Sequence, residues 1–354
     1  MTRRIISPTL TFVNYASKNI PIQALNYKAE AGAPSLTSMR EIPIVIRSQK
    51  SPMADHFHLA VAWDWEYDRE FIATLESQIH AHRLRFYSIS HHNTHETVRR
   101  LQKGELSFGA FLDRSSDIDE NFAPVARTAR KLGATIINLP DAVHQAIDKA
   151  TMHLEFLTKG INVPFTIIIS PYAKKRELEF SLSDLARLGR PFIIKPANTT
   201  GGGVGVILGA ETLKDVIDSR QHHKNDKYLL QEKIWPVMLD GRKGWFRAFY
   251  AFGEILPAWW DDETHLYAIV TKSELTAFGL RPLLTITRKI SEVCRLDFFS
   301  TEIAVTREKR TVVVDYVNDI CDMRMQSQHP DGVPDVLVTE ICRRFARHLK
   351  SALK

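Results

Sequence analysis

The stretch that decides the fold is residues 189–208, Gly-Arg-Pro-Phe-Ile-Ile-Lys-Pro-Ala-Asn-Thr-Thr-Gly-Gly-Gly-Val-Gly-Val-Ile-Leu. An apolar run from Pro191 to Ile194 leads into Lys195, and a second run, rich in β-branched residues, starts at Val204. Small polar residues and glycines separate the two runs, which predicts a β-hairpin with a glycine-rich tip. Glycines let backbone N–H groups approach a ligand, and Lys195 adds a positive charge, a combination that suits a polyphosphate. A glycine-rich surface hairpin without a ligand is the alternative.

This glycine-rich stretch differs from two common nucleotide-binding motifs. A Walker P-loop reads Gly-x-x-x-x-Gly-Lys-Ser/Thr, and the stretch lacks that pattern. Both the P-loop and the Rossmann fingerprint also place a helix after their glycines. Because a strand is predicted after these glycines, a phosphate site here must be built in another way.

The composition is that of a globular protein and argues against several classes. The 354 residues are 44% hydrophobic and 25% charged, and no apolar run approaches the roughly 20 residues that a transmembrane helix needs. We therefore expect no membrane partner. The three cysteines lack the spacing of a metal site and their number is odd, which predicts free thiols in a reducing, cytoplasmic compartment.

Much of the net charge of +6 lies in residues 1–52, which hold seven basic and two acidic side chains. The rest of the chain is nearly neutral, so the charge predicts no nucleic-acid partner. The segment shows no sustained helical or strand period. It is predicted to be a disordered basic extension or a misassigned start ahead of Met53, with a targeting segment as the third alternative.

Strands alternate with helices over residues 58–139, which predicts a parallel α/β layer. The predicted strands cover residues 59–62, 85–90, 108–112 and 134–139. Ligands of such sheets bind at the carboxyl ends of the strands. The polar side chains that follow those ends, and are expected to contact a substrate, are Asp64, Trp65, His91, Asp113 and Arg114. Ordinary helix caps and loop residues are the alternative for each of them.

The remainder of the chain predicts helices and antiparallel strands. Residues 142–159 form one long helical pattern that contains Asp148-Lys149, and a helix is predicted at the end of the chain. The predicted strands after the hairpin cover residues 228–235, 246–251, 254–260, 297–305 and 311–319, and the last pair turns at Glu308-Lys309.

This order of motifs resembles the ATP-grasp superfamily, of the D-alanine–D-alanine ligase, glutathione synthetase and ribosomal-protein glutamate ligase type. The resemblance covers residues 142–330 and, more loosely, the α/β layer before them. Each motif alone is weak, but five occur in the family's order. They are Asp148-Lys149, the Gly-Ile-Asn-Val-Pro-Phe-Thr run from Gly160, Lys195 with its glycines, Gln231-Glu-Lys-Ile, and the acidic strand pair with Asp297, Asp315 and Asn318.

The resemblance implies a mixed α/β and α+β fold in which two α+β subdomains clasp ATP behind an N-terminal parallel α/β domain. The basic extension would end at residue 52, and the pre-ATP-grasp domain would cover residues 53–141. The central and C-terminal ATP-grasp subdomains would cover residues 142–232 and 233–354.

The same resemblance implies which residues hold ATP and a metal. Transfer of a γ-phosphoryl group needs cations around the phosphates and oxygen-ligated Mg²⁺, with Mn²⁺ as the alternative ion. Arg247 stands at the arginine of the family's Asp-x-Arg motif and, with Lys195, is the implied catalytic pair. The implied ATP-binding residues are Lys149, Lys195, Gly201, Gly202, Gly203, Gln231, Glu232, Lys233, Ile234 and, for the ribose, Asp240. The implied metal ligands are Asp297, Asp315 and Asn318.

Two positions depart from the family pattern. The family has Glu-x-Asn in the metal strand, whereas here Tyr316 stands at the Glu position and Asp315 precedes it. Alternate strand residues face opposite sides, so Asp315 and Asn318 would point apart unless a bulge intervenes, and the number of metal ions is open. Trp245 replaces the acid of Asp-x-Arg, which affects how a substrate is oriented.

The activity that the resemblance implies is a carboxylate–amine or carboxylate–thiol ligase, which forms an acylphosphate and releases ADP and phosphate. Arg324 and Ser327, after the metal strand, are expected to recognise a carboxylate, with a structural loop as the alternative. The expected partners are small-molecule or peptide carboxylates and amines, and a homodimer is left open. The alternative functions are a kinase that phosphorylates a hydroxyl and a nucleotide-binding regulatory protein.

Overall fold

The structure, a computed structural model, describes residues 54–352 apart from residue 179 and residues 200–202. The strands are β1 Asp55–Ala62, β2 Phe86–Ile89, β3 Leu106–Asp113, β4 Thr135–Ile137, β5 Thr166–Ile169, β6 Phe192–Pro196, β7 Ile207–Ala210, β8 Tyr228–Glu232, β9 Met238–Leu239, β10 Arg242–Lys243, β11 Trp245–Ala251, β12 Glu254–Trp260, β13 Tyr267–Ile269, β14 Phe298–Val305 and β15 Thr311–Asn318. The helices are α1 Arg69–Ala81, α2 Thr94–Gln102, α3 Ala123–Lys131, α4 Pro140–Ile147, α5 Lys149–Thr158, α6 Leu182–Leu188, α7 Leu213–Ser219, α8 Lys272–Ala277, α9 Arg281–Cys294 and α10 Asp335–Ala352. The predictions for residues 1–52 lie outside the described residues.

The first sheet is parallel, in the order β2-β1-β3-β4, which confirms the α/β layer predicted from alternating strands and helices. Its central strand β1 is buried on both faces, because Leu59 through Ala62 have no exposed surface. Helix α10, from the other end of the chain, packs against α1 of this layer and against β11. The first and last parts of the described chain therefore share one hydrophobic core.

The second sheet is antiparallel, in the order β5-β8-β6-β7. Strands β6 and β7 pair with each other, so the hairpin predicted for residues 189–208 is confirmed, with its tip at 200–202 outside the described residues. Ile194 and Leu230 pack in a core with residues of α6 and α7, whereas Leu229 faces a core shared with the third sheet. Lys195 pairs with Leu229 and therefore lies on the face turned toward the third sheet.

The third sheet is antiparallel, in the order β13-β12-β11-β14-β15, and it contains the two strand pairs predicted in the second half of the chain. Helix α9 packs against β11 and β15. The architecture, a parallel sheet and two antiparallel sheets besides the short β9–β10 ribbon, agrees with the predicted fold class. Within residues 54–352, the described helices all lack the combination of length and apolar character that a membrane span requires.

The helix predicted over residues 142–159 is wrong in one respect, because the structure divides it into α4 and α5. Asp148 breaks the helix with an extended conformation, φ −72° and ψ 96°. Its carboxylate accepts the backbone N–H groups of Ala150 and Thr151 at 3.0 and 3.2 Å, which makes it the N-cap of α5. The break places Lys149 at the first position of α5, where its backbone N–H donates to Ala197 at the end of β6.

Candidate active site

Two lysines approach one carboxylate between the second and third sheets. The Nζ of Lys149 lies 3.8 Å from Oδ1 of Asp315, and the Nζ of Lys195 lies 4.0 Å from the same oxygen. Lys195 is 6% exposed, and its ammonium donates to the backbone carbonyl of Val314 at 3.1 Å. β6, the start of α5 and β15 therefore meet at Asp315.

The charges of this group shift one another's proton affinities. Burial lowers the pKa of Lys195 to about 8, against the opposing effect of Asp315, and the charge of Lys149 lowers it further. Burial alone would raise the pKa of Asp315, but Lys149, Lys195 and Arg247 outweigh it and hold that pKa below its usual range. At neutral pH the carboxylate is ionised and most of the Lys195 side chains are charged.

A second ion pair lies beside the first. Arg247 on β11 pairs directly across the sheet with Glu302 on β14, and their side chains form a salt bridge. The indole Nε1 of Trp245 lies 3.4 Å from the other oxygen of Glu302, and the Arg247 guanidinium lies 4.6 Å from the centroid of the Trp260 ring. Burial raises the pKa of Glu302 although Arg247 opposes the shift. The Nε of Arg247 is buried and has no hydrogen-bond partner among the described residues, so this guanidinium has room for one more acceptor.

Glu302 is the residue that sequence reasoning missed, and Asp297 is the one that it placed wrongly. In the sheet Glu302 pairs with Asp315, whereas Asp297 precedes β14 at the opposite end, about 17 Å away at about 3.4 Å per residue. Asp297 donates its N–H to Asn138 Oδ1 at 2.9 Å, and burial raises the pKa of its carboxyl. The prediction that Asp297 shares a metal site with Asp315 is therefore corrected. The signal was present, since Glu302 and Asp315 lie equally far from the predicted turn at Glu308-Lys309.

A β-bulge resolves the awkward spacing of Asp315 and Asn318. Ser300 pairs with Asn318 and Glu302 with Asp315, so two steps on β14 oppose three on β15. The extra residue brings Asp315 and Asn318 to one face of the sheet, that of Glu302. Tyr316 occupies the position of the family's Glu but is fully buried in the core, so Asp315 faces Glu302 in its place.

These oxygen donors fit a magnesium ion. Mg²⁺ is usually bound through one or two carboxylates, with phosphate oxygens and waters completing an octahedron. Glu302 and Asp315 supply two carboxylates and Asn318 an amide oxygen from the same sheet face. In the part of the chain that the structure describes, no group of three or more His, Cys, Asp or Glu side chains could hold a metal ion. Phosphate oxygens and waters would have to complete the coordination of an ion held by these three residues.

The segment expected to read adenine follows β8. Gln231 is 2% exposed, and its amide donates to Tyr316 Oη at 2.8 Å and to Thr166 Oγ1 at 3.0 Å. Glu232 accepts the N–H of Phe165 through its side chain. These bonds fix the buried side chain of Gln231 and the half-buried side chain of Glu232. Among the described residues, no hydrogen bond takes up the backbone groups of Lys233 and Ile234, which leaves them available to a base.

For four other residues predicted to bind ATP, the structure gives little information about a role at the site. Gly201 and Gly202 lie outside the described residues. Gly203 follows them with a φ of 77°, a left-handed conformation that glycine adopts without strain. Asp240 and Gly241, at the exposed tip of the β9–β10 hairpin, have φ values of 47° and 77°, typical of a type I′ turn. The structure gives no contact between Asp240 and the residues around Asp315, so its ribose role stays a prediction.

Two arginines expected to contact a substrate are instead held by internal carboxylates. Arg114 is 4% exposed and donates two hydrogen bonds of 2.7 Å to Asp68. Arg324 forms salt bridges with Asp322 at 2.7 Å and Asp331 at 3.0 Å. Because a buried or half-buried guanidinium needs such partners, these two predictions are corrected to structural roles.

The other predicted substrate residues lie on the surface. Asp64 hydrogen-bonds to His91 at 2.5 Å, and Trp65 is 40% exposed. Asp113 accepts the N–H groups of the two serines that follow Arg114, so it shapes a loop. Ser327 is exposed and donates its backbone N–H to the side chain that begins α10. Asp64 and His91 therefore contact each other, and a shared substrate site for the predicted residues stays a prediction.

No family model matches this chain, and no curated protein matches it. Solved structures do match. An ATP-grasp ligase, PsnB, complexed with a minimal precursor, Mg and ADP is 13% identical, with a TM-score of 0.55 over 83% of this chain and 97% of its own.

Two further solved structures match over the same share of this chain. A RimK domain ATP-grasp protein from Sphaerobacter thermophilus is 16% identical, with a TM-score of 0.56 over 83% of this chain and 99% of its own. D-alanine–D-alanine ligase from Bacillus anthracis, complexed with ATP, is 13% identical, with a TM-score of 0.53 over 83% and 99%. At such identities the likeness establishes the fold alone.

Proposed function

We propose that this chain, which has the ATP-grasp fold, is an ATP- and Mg²⁺-dependent ligase that joins a carboxylate to an amine or a thiol. The observation that carries the proposal is the group of Lys149, Lys195, Arg247, Glu302 and Asp315 between two antiparallel sheets. Three cations and two carboxylates in a mostly buried site match the needs of phosphoryl transfer, where phosphate charge and a metal must both be balanced.

The residues divide between holding the nucleotide and holding the metal. Lys149 and Lys195 would neutralise the α- and β-phosphates, and the forked guanidinium of Arg247 would contact the phosphoryl group in transfer. Glu302, Asp315 and Asn318 would hold Mg²⁺, or Mn²⁺ in its place. When bound, the ion withdraws charge from the phosphate oxygens.

The base and sugar would bind at the end of β8. The backbone groups of Lys233 and Ile234 would read adenine, while the hydrogen-bonded side chains of Gln231 and Glu232 fix the segment. Gly201, Gly202 and Gly203 would cover the phosphates, and Asp240 would bind the ribose hydroxyls, both as inferred from the family resemblance.

The reaction that these residues support proceeds in two steps. A substrate carboxylate attacks the γ-phosphorus, which forms a carboxyl–phosphate bond and breaks the bond to the oxygen that ADP retains. The amine or thiol then attacks the carbonyl carbon, phosphate leaves, and the nucleophile loses its proton. Arg247, whose side chain pairs with the proposed metal ligand Glu302, would stabilise charge in the first step.

The substrate is a small-molecule or peptide carboxylate with an amine. PsnB has been solved with its precursor peptide and the macrocyclase MdnC from Microcystis aeruginosa with its own, which supports including peptides among the candidates. Asp64, Trp65, His91, Asp113 and Ser327 remain the candidate contacts on the substrate side. A cytoplasmic location, a homodimer and the absence of nucleic-acid and membrane partners also remain expectations from the sequence.

Phosphorus NMR of the full chain with MgATP tests this proposal. The protein is supplied with pooled carboxylates and amines, short peptides among them, and then with each pool alone. We expect ADP and an equal amount of free phosphate only when both pools are present. Lys195→Ala should abolish turnover, and Lys289→Ala, which removes an exposed lysine on α9, should leave it unchanged.

Two other outcomes would overturn the ligase proposal. A new phosphoester signal with little free phosphate would indicate a kinase that acts on a hydroxyl. Unchanged ATP with every pool, despite nucleotide binding measured by calorimetry, would indicate a regulatory nucleotide-binding protein.

A further inference from the structure

A cavity of about 470 Å³ opens at the end of the second sheet that lies away from Lys233 and Ile234. We call it the distal cavity. Its walls come from the end of β5, the loop after it and the start of β8. The polar and charged side chains that line it are Ser170, Lys174, Arg176, Asn198, Asn225, Asp226 and Lys227. Nothing in the proposed ligase reaction uses these residues.

Asp226 is the acidic side chain that lines the distal cavity, and its carboxylate is hydrogen-bonded within the protein. Asp226 accepts hydrogen bonds from the backbone and side chain of Asn198, at 2.8 and 2.9 Å, and from the backbone and side chain of Thr199, at 3.2 and 3.0 Å. Lys227 donates to Asp148 at 2.8 Å. Lys174 and Arg176 form no salt bridge with a carboxylate of the described residues. The three cationic side chains of the lining outnumber its one carboxylate, Asp226, so the cavity carries a net positive charge.

A buried arginine behind the cavity adds to this charge. Arg220 is 5% exposed, and its guanidinium donates to the carbonyl of Ser170, a cavity residue, at 2.7 Å. Its Nε is buried and has no hydrogen-bond partner, and among the described residues no carboxylate forms a salt bridge with it. A buried guanidinium without a counter-ion is costly, and the partial negative charge at the end of α7 offsets only part of that cost. An anion in the distal cavity would supply the missing charge.

We propose that the distal cavity is a binding site for a phosphate-sized dianion, separate from the nucleotide site. Lys174, Arg176 and Lys227 would contact the anion, and Arg220 would act behind them through Ser170. Free inorganic phosphate and a phosphomonoester group present the same chemistry. This proposal does not depend on the ligase activity.

The site also has a direct connection to the nucleotide-binding residues. Lys227 pairs with Asp148, and Asp148 caps the helix whose first residue is Lys149. An anion that draws Lys227 away would leave the carboxylate of Asp148 with only the N–H groups of Ala150 and Thr151 and the hydroxyl of Thr151 as partners. Occupancy of the distal cavity would thus alter the position of Lys149 and the affinity for nucleotide. By linkage, bound nucleotide would alter the affinity of the cavity for the anion by the same factor.

Isothermal titration of the full chain with inorganic phosphate tests the proposal, with the nucleotide site saturated by adenylyl imidodiphosphate and Mg²⁺. We expect saturable binding that weakens at least tenfold in Lys174→Ala/Arg176→Ala. The matched control, Arg288→Ala/Lys289→Ala, removes the same charges from the exposed face of α9 and should bind phosphate as the unchanged protein does. Methyl phosphate, used in place of phosphate, distinguishes free phosphate from a phosphomonoester as the natural ligand. It binds only if the site leaves room for a substituent on one of the four phosphate oxygens.

Three results would overturn the proposal. The first is the absence of saturable phosphate binding in the unchanged protein. The second is an equal loss in the two double variants, which would indicate a general effect of net charge. The third is loss of phosphate binding in nucleotide-free Lys195→Ala, because that would place the anion in the nucleotide site.

Discussion

Replacing Glu302 with Gln distinguishes the metal site proposed from the structure from the one that the sequence suggested. Glu302→Gln keeps the shape of the side chain and removes its charge. Asp297→Asn makes the equivalent change at the residue first expected to bind the metal. If Glu302 faces the ion together with Asp315, only the first change should weaken metal binding.

The expected sizes follow from distance. A unit charge about 4 Å from a cation interacts with it by about 4 kcal/mol at an effective dielectric constant of about 20. Allowing for relaxation and the remaining ligands, we expect Glu302→Gln to weaken the metal about 100-fold, or about 2.7 kcal/mol. Asp297 is about 17 Å from Glu302 along the strand, beyond a screening length of about 8 Å, so Asp297→Asn should change the affinity less than about twofold.

Electron paramagnetic resonance of Mn²⁺ measures this directly, because the signal of the free ion falls as the ion binds. The titration is carried out with adenylyl imidodiphosphate bound. Without nucleotide we expect no measurable Mn²⁺ binding, since three cations outnumber the two carboxylates of the site. Nucleotide affinity in the absence of metal should be retained in Glu302→Gln, which controls for misfolding. An equal or larger loss of Mn²⁺ in Asp297→Asn would refute the assignment.

Three further predictions concern charge and stability. Burial lowers the pKa of Lys195 to about 8, so this lysine loses its charge as the pH rises above 8. The affinity for nucleotide without metal should then fall by up to about tenfold per pH unit, and calorimetry should find no such slope in Lys195→Ala. Burial lowers the pKa of His153 to about 4 from 6.5 in the unfolded chain, so the unfolded state binds the proton first as pH falls. The unfolding free energy should therefore drop by about 3 kcal/mol between pH 6.5 and 4, and urea titrations of His153→Gln should lack that part of the drop. Arg114→Met leaves the buried carboxylate of Asp68 unpaired and should lower the unfolding free energy by about 3–5 kcal/mol. Arg324→Met removes a more exposed pair and should lower it less. Equal losses in the two variants would contradict the burial argument.

Much of the site could be predicted from the sequence because the informative residues are local to recognisable elements. Lys195 ends an apolar strand beside glycines, and Lys149 follows an Asp that caps a helix. Lys195 can be expected from its own short stretch of chain, whereas the role of Lys149 was implied by the family resemblance and its capped position was found only in the structure. The prediction of one long helix across Asp148 was wrong because the helical periodicity of the sequence continues through the break. The break depends on Asp148, whose carboxylate accepts two backbone N–H groups and so begins a new helix, α5.

The sequence by itself determined the order of strands and helices, the hairpin at residues 189–208 and the place of Lys195 beside its glycines, since these depend on local propensity and spacing. The other cations, Lys149 and Arg247, were implied by the family resemblance. Only the tertiary structure decided which carboxylate faces Asp315, because strand register and the bulge in β15 bring Glu302 to it and leave Asp297 about 17 Å away. It also decided that Arg114 and Arg324 lie against internal carboxylates. Pairing across distant segments depends on which chains meet in the folded core, and no short stretch of sequence carries that information.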